Sequence, residues 1–342
     1  MERVGELKLL KRLTKELQPA TRAELSLSAA VADVVMNPAT KDDAAFLARF
    51  LVQCTLPHSD PCIQRVHVDG QWKLVNAIVP MWSRRNGGVT LSIVPGLNTA
   101  TGKSFGYPYG SIPRLLLYWM TTEVQRTKHR ADLTPIEKRR IQLGHSLSKF
   151  MRELGLNPYT GRGKRGDAKR LRNQMERLFN SIFSLDETFA SPDRQGHAWV
   201  KMQVAPKGEL WWNPKQPQQD ALWGSWIELS EDFYNALCTA VVPADIRTLR
   251  ALKGSPLALD LYALLNYVGA TTKASKFISW TMLQQQLGTD VKNVDDFRKN
   301  ALVALRKVKL FLGSKGANIT HDTKKGGLLI APGRPAIPKS AG

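Results

Sequence analysis

The chain has 342 residues, enough for two domains and a sizeable core without disulfide or metal staples. Hydrophobic residues make up 43% and charged residues 23%, a globular balance that excludes wholesale disorder. Lysine and arginine number 49 against 29 acidic residues, and the formal net charge of +20 points to a polyanion as partner, nucleic acid first. Three cysteines are too few for a disulfide framework and suit a reducing compartment. No apolar run approaches the ~20 residues of a membrane span. Charges interrupt Glu6–Leu13, so the start does not read as a secretory signal. The expectation is a soluble, cytoplasmic, basic protein.

Taken in order, residues 1–30 read as an arm with an amphipathic helix over 5–17. Leu10, Leu13 and Leu17 share one side, with Lys8, Lys11, Arg12 and Lys15 elsewhere. Such a helix packs on its own domain or docks on a partner. Residues 31–105 read as a smaller mixed α/β region. A helix is predicted from Asp42 to Leu51, capped near Thr40 and burying Phe46, Leu47 and Phe50. Arg65–Leu74 alternates about Asp69-Gly70, a hairpin signal, and Val89–Val94 reads as a strand.

From residue 106 a pattern begins that later returns. A capped helix opens at Ser111 with Pro113 in its first turn and Leu116, Trp119 and Met120 in its stripe. A basic connector, Arg126–Arg140, leads to a short helix over Ser146–Leu154, stopped by Gly155 and Asn157-Pro158. A long helix runs from Asp167 to about Leu185, and strands His197–Val204 and Glu209–Trp212 flank Pro206-Lys207-Gly208. Downstream, Ser255-Pro256 opens a helix carrying Leu257, Leu261, Leu264 and Leu265. A short helix follows Ser279, and a long one spans Val294–Leu312. Strands Asn318–His321 and Gly327–Ile330 close the series. Helix, short helix, long helix, hairpin, twice over, is the order of a winged helix-turn-helix. The expected fold class is therefore α+β, with tandem winged-helix domains over 106–220 and 221–330 and a loose tail over 331–342.

The first long helix carries the sharpest functional signal. Ala168, Leu171, Met175, Leu178, Ile182 and Leu185 form its apolar stripe, and Lys169, Arg170, Arg172, Asn173, Gln174 and Arg177 occupy the far side and flanks. Residues 160–180 hold seven basic and two acidic side chains. A helix fits the major groove, where Arg reads guanine and Asn or Gln reads adenine. Lys164 and Arg165 precede it and are placed to hold phosphates. The second long helix repeats the logic: Phe297, Ala301, Ala304, Leu305 and Val308 inside, with Lys292, Arg298, Lys299, Asn300, Arg306 and Lys307 around them. Lys324 and Lys325, at the hairpin tip, suit a phosphate backbone or the minor groove.

Three runs carry a family resemblance: Gly106–Leu117; Lys164–Asp167 with Leu171–Phe179; and Ser255–Tyr262. Together, in this order, they resemble the plasmid RepA replication initiators across roughly 106–330. The resemblance implies two winged-helix domains that bind directly repeated origin DNA (iterons), help open the origin and recruit host helicase or initiator proteins. It also implies a homodimer as the inactive or autorepressing form, and a bacterial cytoplasm shared with plasmid DNA.

Other signals fail on spacing. Gly96–Ser104 has five residues between its glycines where a phosphate-binding loop needs four. His145 and Tyr159 suggest a tyrosine recombinase, but the upstream His-x-x-Arg is missing. His67-Val68-Asp69 lacks the paired histidines of a nickase. Cys54, His58, Cys62 and His67 match no usual zinc spacing, and Cys238 reads as core. The expectation is no catalytic residues, no metal and no cofactor. A strand-transfer enzyme and a winged-helix transcriptional regulator stay open as alternatives.

Overall fold

Helix α1 (Arg22–Met36) opens the part of the chain that the computed structural model describes: residues 22–68, 71–144, 147–158, 166–191, 193–211, 224–312 and 318–337. The amphipathic run over 5–17 lies outside it. The segment expected as one helix from Asp42 to Leu51 is a strand, β1 (Ala44–Ala48), and a short helix, α2 (Arg49–Gln53). The cause is tertiary. Ala44–Ala48 pairs antiparallel with β13 (Val241–Asp245), and the Phe46 N–H donates to Thr122 Oγ1 at 2.9 Å. A short apolar run is ambiguous in period, and a distant partner strand decides it.

β2 (Ile63–Val68) and β3 (Gln71–Asn76) form the expected hairpin with Val68 opposite Gln71; its Asp69-Gly70 turn lies outside the described residues. β4 (Trp82–Asn86) and β5 (Val89–Val94) pair through a turn with Gly87 at φ 62°. The glycine-rich stretch after them is a minimal hairpin, β6 (Leu97–Asn98) with β7 (Lys103–Ser104).

Helix α3 (Ser111–Thr127) starts where predicted, but its cap is Gly110 at φ 80° rather than a serine side chain. The basic connector contains a helix, α4 (Pro135–Arg139), opened by a Thr134/Glu137 capping box, and a strand, β8 (Arg140–Gln142). α5 (Leu147–Glu153) ends at Gly155, φ 73°. α6 (Asp167–Phe179) is shorter than its periodicity suggests. Asn180 Nδ2 donates to Glu176 O at 2.8 Å and Ser181 Oγ to Arg177 O at 2.6 Å, finishing the helix, and the chain leaves as β9 (Ile182–Ser191). Ile182 and Leu185 are thus sheet residues.

The hairpin after α6 is β9 with β10 (Arg194–Gln203); β10 covers the expected strand His197–Val204, but its partner is β9 and not a strand beyond Pro206–Gly208. Lys207–Glu209 is β11 and pairs with β12 (Trp226–Glu228), which also pairs with β8. β9 pairs with β5 as well, giving a four-stranded sheet ordered β10-β9-β5-β4. Strands from before and after residue 106 therefore share one sheet.

Then come α7 (Glu231–Cys238), β13, and α8 (Ile246–Leu252). α9 (Pro256–Thr271) is capped by Ser255, whose hydroxyl accepts from the Ala258 N–H, with Pro256 in the first turn. β14 (Lys276–Ser279) precedes α10 (Trp280–Gln286), itself capped by Ser279. α11 (Val294–Leu312) and the hairpin β15 (Ile319–Asp322) with β16 (Gly327–Ile330) complete the series. β14 joins that hairpin in the order β14-β16-β15. The tail is not loose as far as Ile337: Gly333 N–H donates to Gly269 O and Ala336 N–H to Asn266 Oδ1, both at 2.8 Å.

One contiguous core joins these parts, from Leu47 and Leu51 through Leu116 and Leu117 to Leu261, Leu265 and Phe297. A buried ion pair crosses it. Arg114 of α3 is 4% exposed and meets Asp260 of α9 side-on, Nε to Oδ1 at 2.7 Å and Nη2 to Oδ2 at 2.8 Å. Its other N–H groups reach the Leu56, Pro57 and Gly110 carbonyls at 2.6, 3.0 and 2.7 Å, so all five guanidinium donors are used.

Candidate nucleic-acid interface

Helix α6 buries Leu171, Met175, Leu178 and Phe179 and packs on α3 and α5, which turns its opposite side outward. Lys169, Arg170 and Asn173 are exposed and Arg172 is half-buried. Arg170 Nη1 lies 3.3 Å from Asp167 Oδ1 one turn earlier. Burial pushes the Glu176 carboxyl up, against the pull of the Arg172 charge four residues back. Lys164 and Arg165 fall outside the described residues.

Two of the expected readers face inward. Gln174 is 5% exposed, and its Oε1 accepts the Tyr109 N–H at 2.9 Å. Arg177 Nη1 donates to Asp60 Oδ2 at 2.8 Å and to Tyr107 O at 3.1 Å, and the guanidinium lies 5.1 Å over the Tyr109 ring. Neither is available to a base edge. Both instead lock α6 onto the Gly106–Gly110 run. The signal was present in the spacing: Gln174 sits three residues after Leu171 and four before Leu178, in the middle of the apolar stripe. Tyr107 is fully buried, donates its hydroxyl to Val79 O at 2.8 Å, and has its phenol pushed up to about 12 by burial.

Helix α11 begins with Asn293 Oδ1 accepting the Asp295 and Asp296 N–H groups at 2.8 and 3.2 Å. Those two acids suit the positive end of the helix, and they also engage part of its basic set. Arg298 pairs with Asp295 at 3.2 Å and Lys299 with Asp296 at 3.1 Å. Asn300, Arg306 and Lys307 are exposed further along, and Arg306 and Lys307 make no ion pair with a described residue. Lys292 is exposed just before the helix. At the β15–β16 turn, Asp322 Oδ1 accepts the Lys324 and Lys325 N–H groups at 3.1 and 2.9 Å, and Gly326 takes φ 67°. That closed turn leaves both lysine side chains exposed at the tip.

The residues considered for metal serve other ends. Cys54 is fully buried, with its thiol pushed up to about 11 by burial, and His58 Nε2 bonds Asp260 Oδ2 at 2.8 Å. Cys238 is half-buried at the end of α7. Among the described residues no group of three or more His, Cys, Asp or Glu is arranged to hold a metal ion. No helix among them is long and apolar enough to cross a membrane.

Two long helices, each with an apolar stripe inside and Lys, Arg and Asn outside, each preceded by a shorter helix and followed by a hairpin, stand on this framework. The profile of the plasmid-encoded RepA proteins matches residues 107–281, just over half the chain, taking in Tyr107–Leu117, α6 and the Ser255–Tyr262 run. The chain belongs to the plasmid-encoded RepA family. No curated protein sequence matches this RepA-family chain. Among solved structures it is similar to a selenomethionine form of domains 2 and 3 of RctB, with 12% identity, a TM-score of 0.43, and coverage of 82% of this chain and 94% of that one. A second crystal structure of RctB domains 2–3 has 11% identity and a TM-score of 0.41, covering 83% of this chain and 96% of the other.

Proposed function

We propose that this RepA-family chain is a plasmid replication initiator that binds directly repeated origin DNA in sequence-specific fashion, without catalytic activity of its own. The observation that carries the reading is the outward face of α6, where Lys169, Arg170 and Asn173 are exposed opposite a buried, mainly apolar stripe. Arg172 and Asn173 supply base-edge chemistry, and Lys169 and Arg170 supply phosphate contacts.

In this reading the elements form two winged helix-turn-helix units. The second comprises α9, β14, α10, α11 and the β15–β16 hairpin. Its sheet order, with the strand from before the short helix beside the last strand, supports the assignment. Its recognition helix is α11, with Lys299, Asn300, Arg306 and Lys307 toward DNA and Lys324 and Lys325 over the backbone. The first comprises α3, β8, α5, α6 and the β9–β10 hairpin, whose exposed Arg194 and Lys201 extend the basic surface. Backbone neutralisation supplies much of the affinity and makes it salt-dependent. Origin opening, recruitment of host helicase or initiator proteins, and a homodimeric resting form complete the proposal.

The discriminating experiment is origin-dependent plasmid maintenance. A plasmid carrying the candidate repeats should persist with the intact chain and be lost with Arg172→Ala/Asn173→Ala. Promoter repression without plasmid maintenance would make the protein a regulator instead. A covalent protein–DNA adduct would make it a strand-transfer enzyme.

A further inference from the structure

The segment Thr55–Asp60 touches both ends of the proposed interface. On one side, Asp60 Oδ2 accepts Arg177 Nη1 at 2.8 Å in the last turn of α6. On the other, the segment grips the turn between α10 and α11. Thr55 N–H donates to Gln286 O at 3.3 Å and His58 N–H to Gly288 O at 2.7 Å. Gly288 N–H donates to Thr55 Oγ1 at 2.7 Å, and Ser59 Oγ donates to Asp290 Oδ2. Arg84 of β4 adds Nε to Leu287 O at 3.0 Å and Nη2 to Thr289 O at 2.5 Å. That turn is carried onward to α11 by Gln284 Nε2, which donates to Val291 O and Lys292 O at 2.7 and 3.0 Å.

The segment has little freedom of its own. Thr55 and Leu56 are 3% and 2% exposed. Thr55 Oγ1 and His58 Nε2 each meet Asp260 Oδ2 at 2.8 Å, and Arg114 holds the Leu56 and Pro57 carbonyls. A side-chain carbon on Gly288 would stand 1.5 Å from Leu56 O, so the two backbones are in closest contact there. Many of these bonds end on backbone atoms, which do not swing away as side chains do.

We propose that Thr55–Asp60 is a positioning strut that fixes α6 relative to α11, so that the protein recognises two blocks of DNA contacts only at one separation. The inference rests on reading α6 and α11 as DNA-contacting helices. An inserted base pair moves the second block about 3.4 Å along the duplex and roughly 35° around it. A pair of helices held by a rigid strut cannot follow that displacement. Thr55, His58 and Asp60 are then positioning residues that read spacing without touching DNA.

The test compares the full chain with Thr55→Val/Asp60→Asn on duplexes carrying both blocks at native spacing, with one or two base pairs inserted, and with one block scrambled. The intact chain should lose roughly tenfold or more in affinity per insertion, a loss comparable to one or more mismatched pairs. The variant should lose less than about threefold on insertion, bind the native spacing more weakly, and match the intact chain on the single-block duplex. An equal insertion penalty in both proteins would overturn the strut. A general loss of folding would lower all three duplexes together, and Asp60→Asn alone then serves as the milder variant. A second readout needs no DNA: electron–electron distance measurement between spin labels on noncanonical residues at positions 169 and 306. It should give one narrow distance in the intact chain and a broad one in the variant. Equally narrow distributions would overturn the strut, whereas narrow-to-broad with no sequence preference in the intact chain would overturn the DNA reading of the helices and leave the strut as a fold element only.

Discussion

Arg114 and Asp260 are the pair on which the centre of the molecule depends most directly. Removing one partner of a buried ion pair leaves a charge without compensation, so Arg114→Ala should cost about 3–5 kcal/mol and lower the thermal midpoint sharply. The same pair sets the acid limit of stability. Burial alone would raise the Asp260 carboxyl, but the Arg114 charge and the hydrogen bonds from His58 and Arg114 outweigh it and hold it at about 2, below its ordinary 3.8. The unfolded chain therefore binds this proton first as pH falls. The contribution is complete above about pH 4 and is lost between about pH 4 and 2. His58 adds an earlier loss of the same sign. Burial lowers its pKa from 6.5, against the bond to Asp260, so the unfolded chain again takes up the proton first and stability declines below about pH 6.5. Urea midpoints measured from pH 8 to pH 2 should show both steps, and His58→Gln should flatten the upper one. A midpoint that rises on acidification would contradict both assignments.

Within α6, neighbouring residues should separate cleanly in their effects. Asn173→Ala should reduce discrimination between DNA sites by ~1–3 kcal/mol if a bidentate base contact is lost, with folding stability little changed. Gln174→Ala should do the reverse: it orphans the Tyr109 N–H and costs about 1–3 kcal/mol of stability, with site preference intact. Binding competition and thermal melts on the same two variants check this. The elements that were legible in advance are those marked by local chemistry. Ser255-Pro256 and Ser279 are caps, and the apolar stripe from Phe297 to Val308 is helical at any length. The Thr134-Pro135-Ile136-Glu137 capping box is equally local, but the basic composition around it reads as a connector. β1 and β9 were not legible, because their partners, β13 and β5, lie far away in sequence and override a helical reading of short apolar runs. The inward turn of Arg177 has the same origin, since its acceptor, Asp60, belongs to a distant segment.

Across the whole molecule, the 55–60 segment, Arg84 and the β5–β9 pairing place residues from the N-terminal hundred at the junction between the two basic helices. That region was the least informative in sequence because many of its bonds end on backbone atoms of distant segments, which leave no composition signal. Charge acts at this scale as well. Lys324→Ala, at an exposed hairpin tip placed over the phosphate backbone in this reading, should weaken all duplexes alike and reduce the salt slope by ~1 unit. A site-selective loss there would make the hairpin a base reader. The most direct test of the central claim is fluorescence anisotropy of the full chain on duplex DNA carrying the candidate direct repeats and on a scrambled control, over a series of salt concentrations. The account predicts a preference for the repeats of at least ~10³-fold that persists at physiological salt. Equal binding to both duplexes that collapses as salt rises would contradict it, leaving only a basic surface.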